Sequence, residues 1–160
     1  MNRKKGLKIF ITVVVMVGFI VDIFILKDMA EDTTIYNYSE EKILSEYRDE
    51  GRSMGYTASV LDDKELDTKA FLLCGNHFIC DMTVLQEDTI ELSCKRRWGK
   101  AKLLLENQES GKVSVTNIED IEKGTTEIDM EKGTYKIYLT GKWFGGKVSL
   151  KADDILLEMK

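Results

Sequence analysis

Two hydrophobic patterns divide the chain. From Ile9 to Leu26 the residues are almost continuously apolar, broken by one charge, Asp22. From Lys69 onward apolar and polar residues alternate with period two, the signature of strands with one buried face. That alternation predicts strands at 69–74, 77–84, 89–97, 101–106, 112–118, 125–130, 134–140 and 146–152. Turn residues separate them at Gly75-Asn76, Gln86-Glu87-Asp88, Gly99, Glu109-Ser110-Gly111, Lys123-Gly124, Lys132-Gly133 and Gly145-Gly146. Short strands at such spacing argue an all-β antiparallel sandwich, jelly-roll-like, of about eight strands. Between the two regimes, Ser39 is placed to cap a helix over 40–50, with Glu40 and Glu41 in its first turn and Gly51 after its end. Ile43, Leu44 and Tyr47 form its apolar stripe. Residues 62–68 read as a solvated acidic loop, with no calcium-loop spacing.

One pairing can be argued in register. If 77–84 and 90–97 form a hairpin about Gln86–Asp88, then Val84 faces Ile90, Met82 faces Leu92 and Cys80 faces Cys94. All six are apolar and share a face, while Asp81, Thr83, Glu91, Ser93 and Lys95 share the other. This register puts Cys80 and Cys94 in the core, close enough for a disulfide or for two buried thiols.

The apolar run of 18 residues would span ~27 Å as a helix, close to the thickness of a bilayer's hydrocarbon core. Arg3, Lys4, Lys5 and Lys8 precede it, and the following flank is mixed to acidic. The positive-inside bias then places the N-terminus in the cytoplasm and the remainder outside the cell membrane. The run is long for a cleaved signal peptide, and Ala30 lacks a small partner two positions earlier. A pilin-like N-terminus would want Glu where Ile11 stands. The expected organisation is a basic tip at 1–8, a signal-anchor helix at 9–27, a juxtamembrane segment at 28–68, the sandwich at 69–152 and a tail at 153–160.

Charge sharpens this. The chain of 160 residues carries 23 Lys and Arg against 28 Asp and Glu, a net of −5. Five of the cations and one acid lie in the first 27 residues, leaving residues 28–160 with 18 cations against 27 acids, a net of −9. So acidic a body argues against nucleic acid as a partner. Proline is absent, so every turn falls to Gly, Asn, Asp or Ser.

Lys100–Glu106 with Glu109-Ser110-Gly111, then Gly133-Thr134-Tyr135-Lys136-Ile137-Tyr138-Leu139, then Gly146-Lys147-Val148-Ser149-Leu150, resemble the bacterial pre-peptidase C-terminal-type module over residues 78–152. That resemblance implies a small β-sandwich attached to secreted proteins, with an accessory or binding role and no catalytic residues to transfer.

The chemistry available is sparse. Cys74, His77, Cys80 and Cys94 have a superficially metal-like spacing, but the strand reading spreads them over ~10 Å, too far for four convergent ligands. No metal or cofactor is expected. Glu91-Leu92-Ser93-Cys94 with Arg96 and Arg97 faintly resembles a sortase nucleophile strand, but the inward orientation expected for Cys94 makes an inert thiol. No other catalytic motif is present, so no catalytic residue is assigned. A binding surface fits better. In a sandwich with the expected strands, Gly75–His77, Trp98-Gly99, 119–124 and Trp143-Phe144 share one end. Trp98, Trp143, Phe144, Arg96 and Arg97 would gather there, near Lys95, Lys100 and Lys142. Such a tip suits a cell-wall polymer, a carbohydrate or a protein partner: Trp stacks on a sugar face and Arg pairs phosphate or carboxylate.

Overall fold

Three strands of about twenty residues build this molecule, each too long to run straight through so small a domain. The computed structural model describes residues 22–121 and 124–159. The expected tip at 1–8 and most of the expected membrane helix lie outside the described residues. Helix α1 covers 22–32, and no helix of the described residues is long and apolar enough to cross a membrane. A 3-10 turn, Ile35–Asn37, leads to α2, Glu40–Glu46. The Ser39 hydroxyl accepts the Lys42 N–H at 3.4 Å, as its N-cap position predicts, but the helix ends four residues earlier than expected.

The strands are β1 (Gly51–Met54), β2 (Thr57–Leu61), β3 (Glu65–Val84), β4 (Asp88–Asn107), β5 (Val113–Asn117), β6 (Thr125–Met130), β7 (Gly133–Lys151) and β8 (Ile155–Glu158). All pair antiparallel in one sheet, with β7 at its centre between β3 and β4. β1, β2 and β8 add along β3, and β5 and β6 add along β4. Residues 65–68, expected in the acidic loop, begin β3, and the expected tail contributes β8.

A straight twenty-residue strand would reach about 65 Å. Instead β3, β4 and β7 bend, and the pairing register shifts between Ala70 and Leu73, between Leu73 and Gly75, and on both sides of Trp98. The expected turns at Gly75, Gly99 and Gly145-Gly146 are therefore bulges within continuous strands. The face that each residue presents changes there. In β4 the buried positions switch from Ile90 and Leu92 to Ala101, Leu103 and Leu105. At Gly99, φ is +70°, and a Cβ would stand 2.0 Å from the Trp143 carbonyl oxygen, so no side chain fits.

The bends turn the sheet back on itself. Leu66, Leu92, Val148 and Leu150 from one half form a single core with Met82, Leu103, Leu105 and Ile137 from the other. Each is at most 4% exposed, and among the described residues only Ile118, in a 3-10 turn, joins this cluster from a helix, so the two inner faces must cover each other. The result is a two-layered sandwich made from one folded sheet.

The expected hairpin of 77–84 with 90–97 does not form, because β7 stands between those strands. Cys80 lies opposite Ile137 and Cys94 opposite Val148, and Cys74, Cys80 and Cys94 are all free thiols. Alternation correctly marks Val84, Met82, Ile90 and Leu92 as core, but it identifies a face and not a neighbour.

Candidate functional site

The two outer faces of the sandwich differ. One is closed by the segment around α2: Ile35, Ile43 and Leu44 pack on Leu104 and Tyr138. The other, formed by the first part of β3, the last part of β7 and the first part of β4, has no covering helix among the described residues. On it, cross-strand pairing brings Lys69 beside Lys147, and Lys147 beside Lys95. Three ammonium groups thus stand in one row, an arrangement that is unfavourable unless something anionic meets it.

Asp67 answers part of that charge. Its carboxylate lies 2.8 Å from the Lys147 ammonium and accepts the Ser149 hydroxyl at 2.5 Å. Burial alone would raise the Asp67 pKa, but the bonds from Lys147 and Ser149, with the charges of Lys147 and Lys69, hold it below the usual carboxylate range. Lys69, Lys95 and Arg97 form no ion pair among the described residues. Lys69, Lys95, Arg97 and Lys147 line a groove of about 340 Å³ with Phe71 and Gly146.

Two exposed aromatic rings stand at the same place. Phe71 is 55% exposed and Trp98 is 41% exposed, and they meet edge to face with centroids 5.4 Å apart. The indole lies close over Gly145, where a Cβ would fall 2.3 Å from the indole Cε2. The bulges place Trp98 here and hold it against backbone.

The residues singled out from the sequence separate in space. Trp98 and Arg97 join this surface. Arg96 turns its guanidinium to donate to the Gly99 carbonyl at 3.1 Å, bracing the bend. Trp143 is half-buried on the seam with φ +53°, a left-handed conformation that costs a non-glycine residue strain. Phe144 is only 1% exposed and belongs to the core, so it cannot present a ring to a ligand. Lys100 is drawn away to Glu119 at 3.5 Å. Phe71, Lys69, Lys147 and Asp67 are additions from the structure. Alternation put Lys95 on an outward face, but nothing in it made Lys69 and Lys147 its neighbours.

The thiols lack the character of nucleophiles. Burial pushes Cys80 up to about 12 and Cys94 up to about 11, despite Arg96 near the latter, so both are protonated at neutral pH. His77 points its Nε2 at the Cys74 carbonyl oxygen, 3.1 Å away, and burial lowers its pKa. No group of three or more His, Cys, Asp or Glu among the described residues could hold a metal ion. A larger acidic depression of about 490 Å³ lies between Glu87, Asp88, Asp129 and Glu131, away from the aromatic pair. There Asp88 already accepts the backbone N–H groups of Thr89 and Asp154.

No protein-family model and no curated protein matches the chain. A solved carbohydrate-binding module specific for non-crystalline cellulose shares 8% identity, over 69% of this chain and 80% of its own, with a TM-score of 0.26. A likeness of that size carries no argument about what this chain binds.

Proposed function

We propose that this protein is a membrane-anchored, extracytoplasmic binding module without enzymatic activity, whose ligand docks on the seam beside Trp98. The observation that carries the reading is that Phe71, which lines the groove with Lys69, Lys95 and Arg97, also meets the exposed Trp98 ring edge to face at its margin. The rings stay largely exposed where core residues would bury them, and cations without partners gain nothing from sitting side by side. Together they suit a cell-envelope glycan, an anionic polymer or a protein partner.

The anchoring half of the proposal rests on the apolar run and on α1. Ile23, Phe24, Ile25 and Leu26, the last residues of that run, are all more than 40% exposed there. The other end of α1 is tied down. Met29 is buried, and Arg52 of β1 reaches Asp28 at 3.3 Å and Asp32 at 2.9 Å. An exposed apolar stretch of helix on a polar domain suits insertion in a bilayer. Protease applied to intact cells should then remove the folded domain.

The test of binding is sedimentation of the full chain, in detergent, with purified bacterial cell-wall sacculi that keep their attached polymers. Retention should fall at least tenfold in Trp98→Ala, as loss of a stacking contact predicts. Equal retention of wild type and Trp98→Ala would remove the seam as the binding surface.

A further inference from the structure

We infer that the ligand of this surface is a linear polyanion lying across strands β3, β7 and β4, a deepening that rests on the binding-module reading above. The geometry carries it. Neighbouring strands are about 4.8 Å apart, so Lys69, Lys147 and Lys95 present charge along a line of roughly 10 Å perpendicular to the strands. Arg97, two residues along β4, extends the basic surface to the foot of the aromatic pair. A single small anion could touch two of these groups at most. A chain carrying a charge on every repeat meets all of them.

The groove favours a chain over a flat surface. Gly55, Ala70 and Gly146, with no side chain beyond a methyl group, line it beside the longer Phe71 and the cations. A bilayer would rest on the rims, whereas a strand can enter. Charge arrangement agrees. The next row along the sheet is Asp67, Ser149 and Ser93, and the row beyond is Glu65, Lys151 and Glu91. The positive potential is confined to the lysine row and the seam, which suits one strand in one track. Asp67 pairs with Lys147 at the edge of this track. The carboxylate therefore acts as an internal competitor, and the polymer's own charges take its place beside Lys69 and Lys95.

The experiment uses the full chain in non-ionic detergent and labelled long-chain inorganic polyphosphate, read by fluorescence anisotropy. Three unpaired cations releasing counterions from a linear polyanion should weaken binding roughly 20- to 40-fold between 50 and 200 mM salt. Lys69→Gln with Lys95→Gln should lose at least tenfold in affinity and flatten the salt dependence, with the fold intact because both side chains are exposed. Asp67→Asn should bind more tightly than wild type, a gain that a merely structural role for Asp67 would not produce. Salt-independent binding, an unaffected double variant, or weaker binding by Asp67→Asn would overturn the inference. So would tighter binding to phosphatidylglycerol vesicles or to neutral dextran than to polyphosphate. If sacculi are retained through Trp98 while polyphosphate is ignored, the polyanion falls and the binding module stands. If neither binds, both fall.

Discussion

β4 carries two lysines seven residues apart, Lys95 and Lys102, and the two outer faces of the sandwich treat them in opposite ways. Lys102 is 5% exposed under the α2 segment. Its ammonium donates to the Tyr38 carbonyl and to Glu40, both at 3.3 Å, and lies 5.3 Å from the Tyr36 ring centroid. Lys95 stands in the open with Lys147 as its neighbour. Around Lys102 most buried polar groups have partners, Glu119 Oε2 being an exception. Asn76, fully buried, donates to the carbonyls of Tyr47 and Arg48, each at 3.1 Å, and accepts the Thr140 hydroxyl at 2.8 Å. That network holds the chain after α2 against the sheet. On the open face one acid, Asp67, serves a row of three lysines. The difference teaches where selection for folding ends. The covered face pairs its lysine within the fold, and the uncovered one leaves Lys69 and Lys95 to solvent.

The comparison can be broken most severely at the seam between the faces. Gly99→Ala should be the largest effect, at least about 3 kcal/mol, because the new Cβ would collide with the Trp143 carbonyl and strain the backbone as well. Chemical denaturation measures it, and a loss below 1 kcal/mol would mean that the bulge is soft. Next comes the covered face. Leu104 is fully buried, so Leu104→Ala should cost about 3 kcal/mol and lower the Tm by roughly 10 °C in a scan. Lys95→Ala, nine residues earlier on the same strand, should stay within about 0.5 kcal/mol while weakening ligand binding. Equal costs at the two positions would erase the distinction between the faces.

The smallest effect expected is a pH dependence at the seam, where the His77 ring stacks on Tyr56 with centroids 5.6 Å apart. Burial depresses the folded-state pKa of His77 below its ordinary 6.5, so the unfolded chain binds the proton more readily. Its stabilising contribution is complete above pH 6.5 and is lost as the pH falls through the folded pKa. Denaturation midpoints measured from pH 7.5 down to pH 5 should decline, and His77→Gln should flatten that decline. An identical slope in the variant would assign the titration elsewhere.

Much of the chain was legible as pattern. The Ser39 cap, the outward Lys95 and the inward Ile90, Leu92 and Met82 follow from propensity and alternation, because a side chain's preference for water is a local property. The alternation also slips at the seam, and glycines sit at the slip. A slip with a glycine is the mark of a turn and of a bulge alike, since both need a residue free of Cβ. Reading it as a turn cut β3, β4 and β7 in two and made the 77–84 and 90–97 strands partners. The strands β1, β2 and β8 were missed because each is only four or five residues long, too short for alternation to stand out, and their pairing comes wholly from β3.

The sequence by itself determined which positions avoid water, where α2 begins, that the chain would be built from antiparallel strands, and that the body would be acidic. Only the tertiary structure decided that β7 lies between β3 and β4. That insertion separates Cys80 from Cys94, sends Phe144 into the core, and lines up Lys69, Lys147 and Lys95 beneath Phe71 and Trp98. The physical reason is that period-two patterning specifies one face of a strand, while the choice of neighbour depends on how the whole sheet closes around its core.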